Sequence, residues 1–224
     1  MFQAVLFDLD GVIVDTLHYH YLAWKHMFEK RGGTVSELTV LLHEGRNSRE
    51  ILPILMEEAG VTIPAEQQPQ FIEEKRAYYR SIVQVRQYPQ AFRVIDELKA
   101  FGFKVALVTA CALKNMQHSL SNEKQQHFDF IITGDEVPRA KPFPDPYLAA
   151  ARQLSVKPER CLVVENAPLG IEAARNAGMQ CVAIETTLGR EYLTAADHIL
   201  QNIGELPALV GKLCRNGELA LNKS

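Results

Sequence analysis

Asp8 and Asp10 stand two residues apart directly after the apolar run Ala4-Val5-Leu6-Phe7, and Gly11 follows at once. On an extended backbone this spacing points both carboxylates the same way, with Leu9 on the opposite side. Two carboxylates that close repel each other unless a cation lies between them or one keeps a proton. The chemistry on offer is cation binding, proton transfer, or both. The same pattern also describes a buried strand ending in a polar turn, which Gly11 would allow because it lacks a Cβ. The rest of the chain has to separate these readings.

Other chemically capable residues recur after apolar runs. Thr109-Ala110 follows Lys104-Val105-Ala106-Leu107-Val108, and Lys141 lies a short way beyond the run at 128–133. Glu165-Asn166 closes the run that starts at Cys161. Carboxylates, an amide, a hydroxyl, an ammonium and accessible backbone N–H groups suit a phosphate held together with a hard, oxygen-seeking cation such as Mg²⁺. Taken singly, Thr109 reads as a helix cap, Lys141 as a solvated lysine and Glu165-Asn166 as a turn.

The elements that must position these residues alternate. Strands are expected at 104–109, 128–133, 161–165 and 181–185, with a weaker one at 198–200, and helices at 114–125, 147–154 and 170–177. Continuous apolar strands alternating with helices indicate an α/β fold, a Rossmann-like parallel sheet covered on both faces. Ligands of such sheets gather at the carboxyl ends of the strands, where these residues stand. The stretch from 16 to 86 has a different character. Helices are expected at 16–31, where Asp15 or Thr16 could cap, at 51–59 and at 66–86, with no buried strand among them. The division expected is a core of 1–14 with 87–224, interrupted by a helical cap domain at 15–86.

Composition narrows the class. The chain has 224 residues, 47% hydrophobic and 23% charged, with 24 Lys+Arg against 27 Asp+Glu. That balance lacks the basic excess of a nucleic-acid binder. No apolar run approaches the roughly 20 residues that span a bilayer, and with a strand beginning within a few residues of Met1 no signal peptide is expected. The four widely spaced cysteines, Cys111, Cys161, Cys181 and Cys214, fit a reducing, cytoplasmic setting. A monomer or weak oligomer acting on a small phosphorylated metabolite is the expectation.

The chain resembles the haloacid dehalogenase-like hydrolase superfamily, in the branch with a helical cap. Asp8-Leu9-Asp10-Gly11-Val12 is similar to its first motif, Val108-Thr109-Ala110 to the second and Lys141-Pro142 to the third. The run from Glu165-Asn166-Ala167-Pro168 through Gly178-Met179 is similar to the fourth. Asn166 departs from the pattern, since relatives more often carry Asp; it offers an oxygen but no charge. The resemblance implies that Asp8 is a nucleophile forming an aspartyl-phosphate and that Asp10 moves the proton. It implies that Thr109, the Ala110 N–H and Lys141 hold the phosphoryl oxygens. Mg²⁺ would be held by Asp8, the Asp10 carbonyl, Glu165 and Asn166.

The cap segment around Thr16, His20 and Trp24, and the Gly45…Ser48-Arg49 loop, look like those of β-phosphoglucomutase and its sugar-phosphate phosphatase relatives. Arg49 is expected to hold a second phosphate or a sugar hydroxyl with its planar fork. The mutase pattern has a lysine just before the loop glycine, whereas this chain has His43-Glu44, and Arg46 compensates only if it points inward. A phosphatase is therefore expected ahead of a mutase, with a catalytically inactive binding or regulatory protein as the third reading. Residues near Val14-Asp15 and Val85–Tyr88 are expected to act as hinges of the cap.

Overall fold

The computed structural model describes residues 1–221. Its main sheet has six parallel strands: β1 (Ala4–Phe7), β4 (Lys104–Val108), β5 (Phe130–Ile132), β6 (Cys161–Glu165), β7 (Gln180–Ile184) and β8 (His198–Leu200), in the order β5-β4-β1-β6-β7-β8. β1 lies in the interior, paired with β4 on one side and β6 on the other. Strand alternation divides its side chains between two cores. Val5 and Phe7 pack in a cluster with α5 (Ala91–Ala100) and α10 (Leu206–Leu221). Ala4 and Leu6 face α8 (Asp145–Gln153) and α9 (Pro168–Asn176). All four are fully buried, and burying each large side chain is worth about 1.5–3 kcal/mol. This double burial fixes the carboxyl end of β1, and with it Asp8 and Asp10. The sequence expectation of an α/β parallel sheet holds.

Between β2 (Val14–Asp15) and β3 (Arg86–Gln87) the chain forms α1 (Leu17–Glu29), α2 (Glu37–Leu42), α3 (Ser48–Ala59) and α4 (Gln68–Ile82). These helices carry a core of their own, in which Trp24, Phe28, Leu52, Leu55 and Phe71 meet. α2 was not expected from the sequence. β2 and β3 pair antiparallel, so the two linkers are bonded to each other as a short ribbon. The helix expected at 114–125 is two, α6 (Leu113–Ser119) and α7 (Asn122–Gln125), the second capped by Ser121. No described helix is long and apolar enough to cross a membrane.

Candidate active site

Lys141 is the centre of the site. Its ammonium is buried and donates to Asp8 Oδ1 at 2.5 Å, to Glu165 Oε1 at 2.6 Å and to the Val108 carbonyl at 3.3 Å. Three adjacent strands, β1, β4 and β6, thus deliver their ends to one cation. Glu165 is held further by the Tyr147 hydroxyl at 2.6 Å and by the Asn166 N–H at 3.0 Å. The Asn166 amide donates to Thr187 Oγ1 at 3.0 Å, which turns its carbonyl oxygen the other way.

Asp10 has a separate set of partners. The Thr16 hydroxyl donates to Asp10 Oδ1, and His20 Nε2 stands 3.7 Å from the same oxygen. Thr16 occupies the N-cap position of α1 without capping it, because its hydroxyl is spent on Asp10. Lys75 Nζ lies 3.0 Å from His20 Nδ1, and the imidazole stacks on Tyr79 with ring centres 4.0 Å apart. Burial works to raise the Asp10 carboxyl, but His20, Thr16 and Lys75 outweigh it and hold it below the ordinary value. Asp8 behaves oppositely: burial outweighs the Lys141 ammonium and pushes its carboxyl up to about 8. The two carboxylates are thereby separated into different protonation behaviour, as expected of groups with different roles.

The charge count shows what the site lacks. Asp8, Asp10 and Glu165 are all buried, and among the described residues the one ammonium bonded to Asp8 and Glu165 is that of Lys141. Asp8 Oδ2 and Asn166 Oδ1 are buried and have no hydrogen-bond partner among the described residues. Two unpartnered oxygen acceptors in a region of excess negative charge fit a hard divalent cation. Asn166 fits by its oxygen even though it brings no charge.

The remaining sequence candidates divide. Thr109 is buried and its Oγ1 accepts the Cys111 N–H at 3.0 Å. Ala110, His20, Trp24 and Ser48 line a cavity of about 50 Å³ between the helical segment and the core, together with Asp10, Glu44, Arg46, Lys75, Cys111 and Asn115. Gly45 is buried at φ +100°, and a Cβ built on it would stand 3.0 Å from Lys141 Cβ. Arg49 is not brought into this cavity. It is the second residue of α3, exposed, with its N–H taken by the Asn47 cap, and Arg46 stands on the lining instead. A larger groove, about 1080 Å³, opens where Phe2 and Lys104 meet α10, at the amino ends of the strands, and contains none of these groups.

Lys75, Tyr79, Tyr147 and Cys111 are the residues the sequence reading did not single out. Lys75 was legible: Phe71, Ile72, Lys75 and Tyr79 are the buried residues of α4 and share one helical face. Tyr147 and Cys111 carry no such signal, since each looks like an ordinary core residue.

The family model of haloacid dehalogenase-like hydrolases matches residues 5–184, which contain every one of these groups except Thr187. The chain belongs to that family. It is 31% identical over 180 residues to a phosphorylated carbohydrates phosphatase of Thermotoga maritima, covering 80% of this chain and 82% of that one. It is 28% identical over 209 residues to a validoxylamine A 7'-phosphate phosphatase of Streptomyces hygroscopicus subsp. limoneus, covering 92% and 96%. Among solved structures, β-phosphoglucomutase of Clostridium difficile superposes with a TM-score of 0.83 at 27% identity, over 98% of this chain and 100% of that one. This haloacid dehalogenase-like protein is accordingly an enzyme of the phosphatase and phosphomutase group.

Proposed function

We propose that the protein hydrolyses a small phosphorylated carbohydrate through an aspartyl-phosphate on Asp8. The observation that carries this reading is the Asp8 carboxylate, bonded through one oxygen to Lys141 and unpartnered at the other. The free oxygen attacks phosphorus, and the bond from phosphorus to the sugar oxygen breaks. Asp10 protonates the departing oxygen, then accepts a proton from the water that attacks the aspartyl-phosphate and releases inorganic phosphate. Thr16 and His20 hold Asp10 in place for both transfers. Thr109, the Ala110 N–H and Lys141 stabilise the phosphoryl oxygens. Asp8, Glu165, Asn166 and the Asp10 carbonyl would hold Mg²⁺, which supplies charge neutralisation between two anions. Ser48, Arg46 and Asn115 offer hydrogen-bonding groups to a sugar, while Trp24 packs in the helical core with Lys75 over its ring.

Glu44 favours hydrolysis over mutase chemistry. It occupies the place before Gly45 and lines the cavity with Asp10; burial, then Asp10 and Asp8, push its carboxyl well up. A carboxyl group there brings none of the positive charge with which a lysine would hold the second phosphate of a sugar bisphosphate intermediate. The mutase reading keeps one observation in its favour: the likeness to β-phosphoglucomutase over the length of the chain. Incubation with β-glucose 1-phosphate, glucose 6-phosphate and other sugar phosphates in Mg²⁺ separates the two. Stoichiometric inorganic phosphate is expected. Glucose 6-phosphate formed from the 1-phosphate without phosphate release would establish the mutase instead.

A further inference from the structure

Donor atoms of Asp10, His20 and Cys111 all lie within 4.8 Å of one another. They come from the loop after β1, the first turns of α1 and the loop after β4, so the segment between β2 and β3 contributes one donor and the core two. His20 Nε2 is buried without a hydrogen-bond partner, 3.7 Å from Asp10 Oδ1. Its ring is fixed from the other side, by Lys75 at Nδ1 and by stacking on Tyr79. All three residues line the cavity of about 50 Å³, enough for an ion and a water.

From this geometry we propose a second cation site, selective for a borderline metal such as Zn²⁺, made by the Asp10 carboxylate, His20 Nε2 and Cys111 Sγ. A carboxylate, an imidazole and a thiolate are the donor set of zinc rather than magnesium. Tetrahedral zinc with bonds of 2.0–2.3 Å needs donors roughly 3.5 Å apart. Asp10 and His20 are already near that separation, and the sulfur, within 4.8 Å of both, closes by about 1.3 Å at most. Binding releases two protons to solvent, one from the Cys111 thiol and one from the Lys75–His20 pair, so that Nδ1–H donates to the Lys75 amine and Nε2 presents its lone pair; the divalent ion is then matched by one carboxylate and one thiolate. The fourth position opens on the cavity. Asp8 Oδ2 and Asn166 Oδ1 are no part of this set, so the two sites are chemically distinct. Occupancy ties α1 to the core and removes the Asp10 carboxylate from proton transfer. The metal therefore stabilises the chain and inhibits it; the inhibition, but not the binding, rests on the hydrolytic reading above.

The test uses the whole chain stripped with chelator and titrated with Co²⁺ alone, in buffer free of phosphate and Mg²⁺. One equivalent is expected to give a sulfur-to-cobalt charge-transfer band with the visible bands of a tetrahedral ion. Cys111→Ser removes the charge-transfer band, and His20→Gln weakens binding on the order of 10–100-fold. Excess Mg²⁺ leaves the band in place. Zn²⁺ raises the melting temperature of the unaltered chain by more than that of Cys111→Ser. With a sugar phosphate and Mg²⁺, Zn²⁺ inhibits the unaltered chain, and whatever turnover Cys111→Ser retains is resistant to Zn²⁺. Cys111→Ala replaces Cys111→Ser if the serine variant does not fold. No charge-transfer band, a band that survives loss of Cys111, or one displaced by Mg²⁺ would overturn the proposal. A band without Zn²⁺ inhibition keeps the site and counts against the role of Asp10 in turnover.

Discussion

Asp8 and Lys141 make the most definite statements about single residues. Asp8→Asn keeps the shape and a hydrogen bond to Lys141 but removes the nucleophilic oxygen. Turnover of a sugar phosphate in Mg²⁺ is expected to fall to background while the circular dichroism spectrum is unchanged; substantial turnover in this variant would remove Asp8 as nucleophile. Lys141→Met leaves Asp8 and Glu165 buried without their shared cation. Breaking a buried ion pair from one side costs about 3–5 kcal/mol, measurable by urea denaturation. Adding Asp8→Asn to Lys141→Met should recover part of the loss, because one of the stranded charges is gone. Additive losses would show that the pair is not coupled. Much of this was legible in the sequence, since Asp8, Asp10, Thr109, Lys141 and Glu165 are bound to strand ends that a parallel sheet must bring together. The sugar side was less legible. Arg46 and Arg49 are three residues apart in a loop and the helix after it, and loop residues have no period from which direction can be read. The capping box of Asn47 and Glu50 starts α3 at Ser48 and leaves Arg49 exposed.

Among the elements, the loop joining α2 to α3 reaches the chemistry at Lys141, as α1 and α4 reach it at Asp10 through His20 and Lys75. Gly45 sits against the Lys141 side chain, with Leu169 also near its missing Cβ. Its φ of +100° is costly for any other residue, at about 1–3 kcal/mol. In Gly45→Ala the new methyl would meet Lys141 Cβ at 3.0 Å and Cδ at 3.1 Å, so either the loop lifts or the lysine shifts. We expect kcat/KM to fall more than tenfold while the stability loss stays within that range. Activity within twofold of the unaltered chain would show that the loop does not need to seat on Lys141. Neither α2 nor the β2–β3 ribbon could be seen in the sequence. α2 has six residues, under two turns, and the ribbon has two residues a side, too few for either period to show. The longer amphipathic helices and the fully apolar strands were plain, because burial on a fixed face imposes a pattern over many residues.

The molecule as a whole is organised around a buried charge imbalance at the edge of its sheet. In the metal-free protein a proton takes the cation's place: Asp8 is pushed from the ordinary 3.8 up to about 8, chiefly by burial. The folded chain then binds one more proton than the unfolded chain between about pH 4 and pH 8. Stability from this group is complete below the lower value and is lost as pH rises through the upper one. A cation that replaces the proton must act in the opposite sense. Mg²⁺ at 100 times its dissociation constant adds about 2.7 kcal/mol, which for a chain of this length is roughly 5–10 °C in melting temperature. That shift is expected at pH 8, where Asp8 is free to bind, and should shrink strongly at pH 5, where a proton has to be expelled first. Asp8→Asn, which cannot ionise, should flatten the pH dependence and lose most of the Mg²⁺ shift. Thermal denaturation at the two pH values, with and without Mg²⁺, measures all of this. Equal Mg²⁺ shifts at pH 5 and pH 8 would mean that the cation does not compete with the Asp8 proton, and the unpartnered oxygens of Asp8 and Asn166 would then need another explanation.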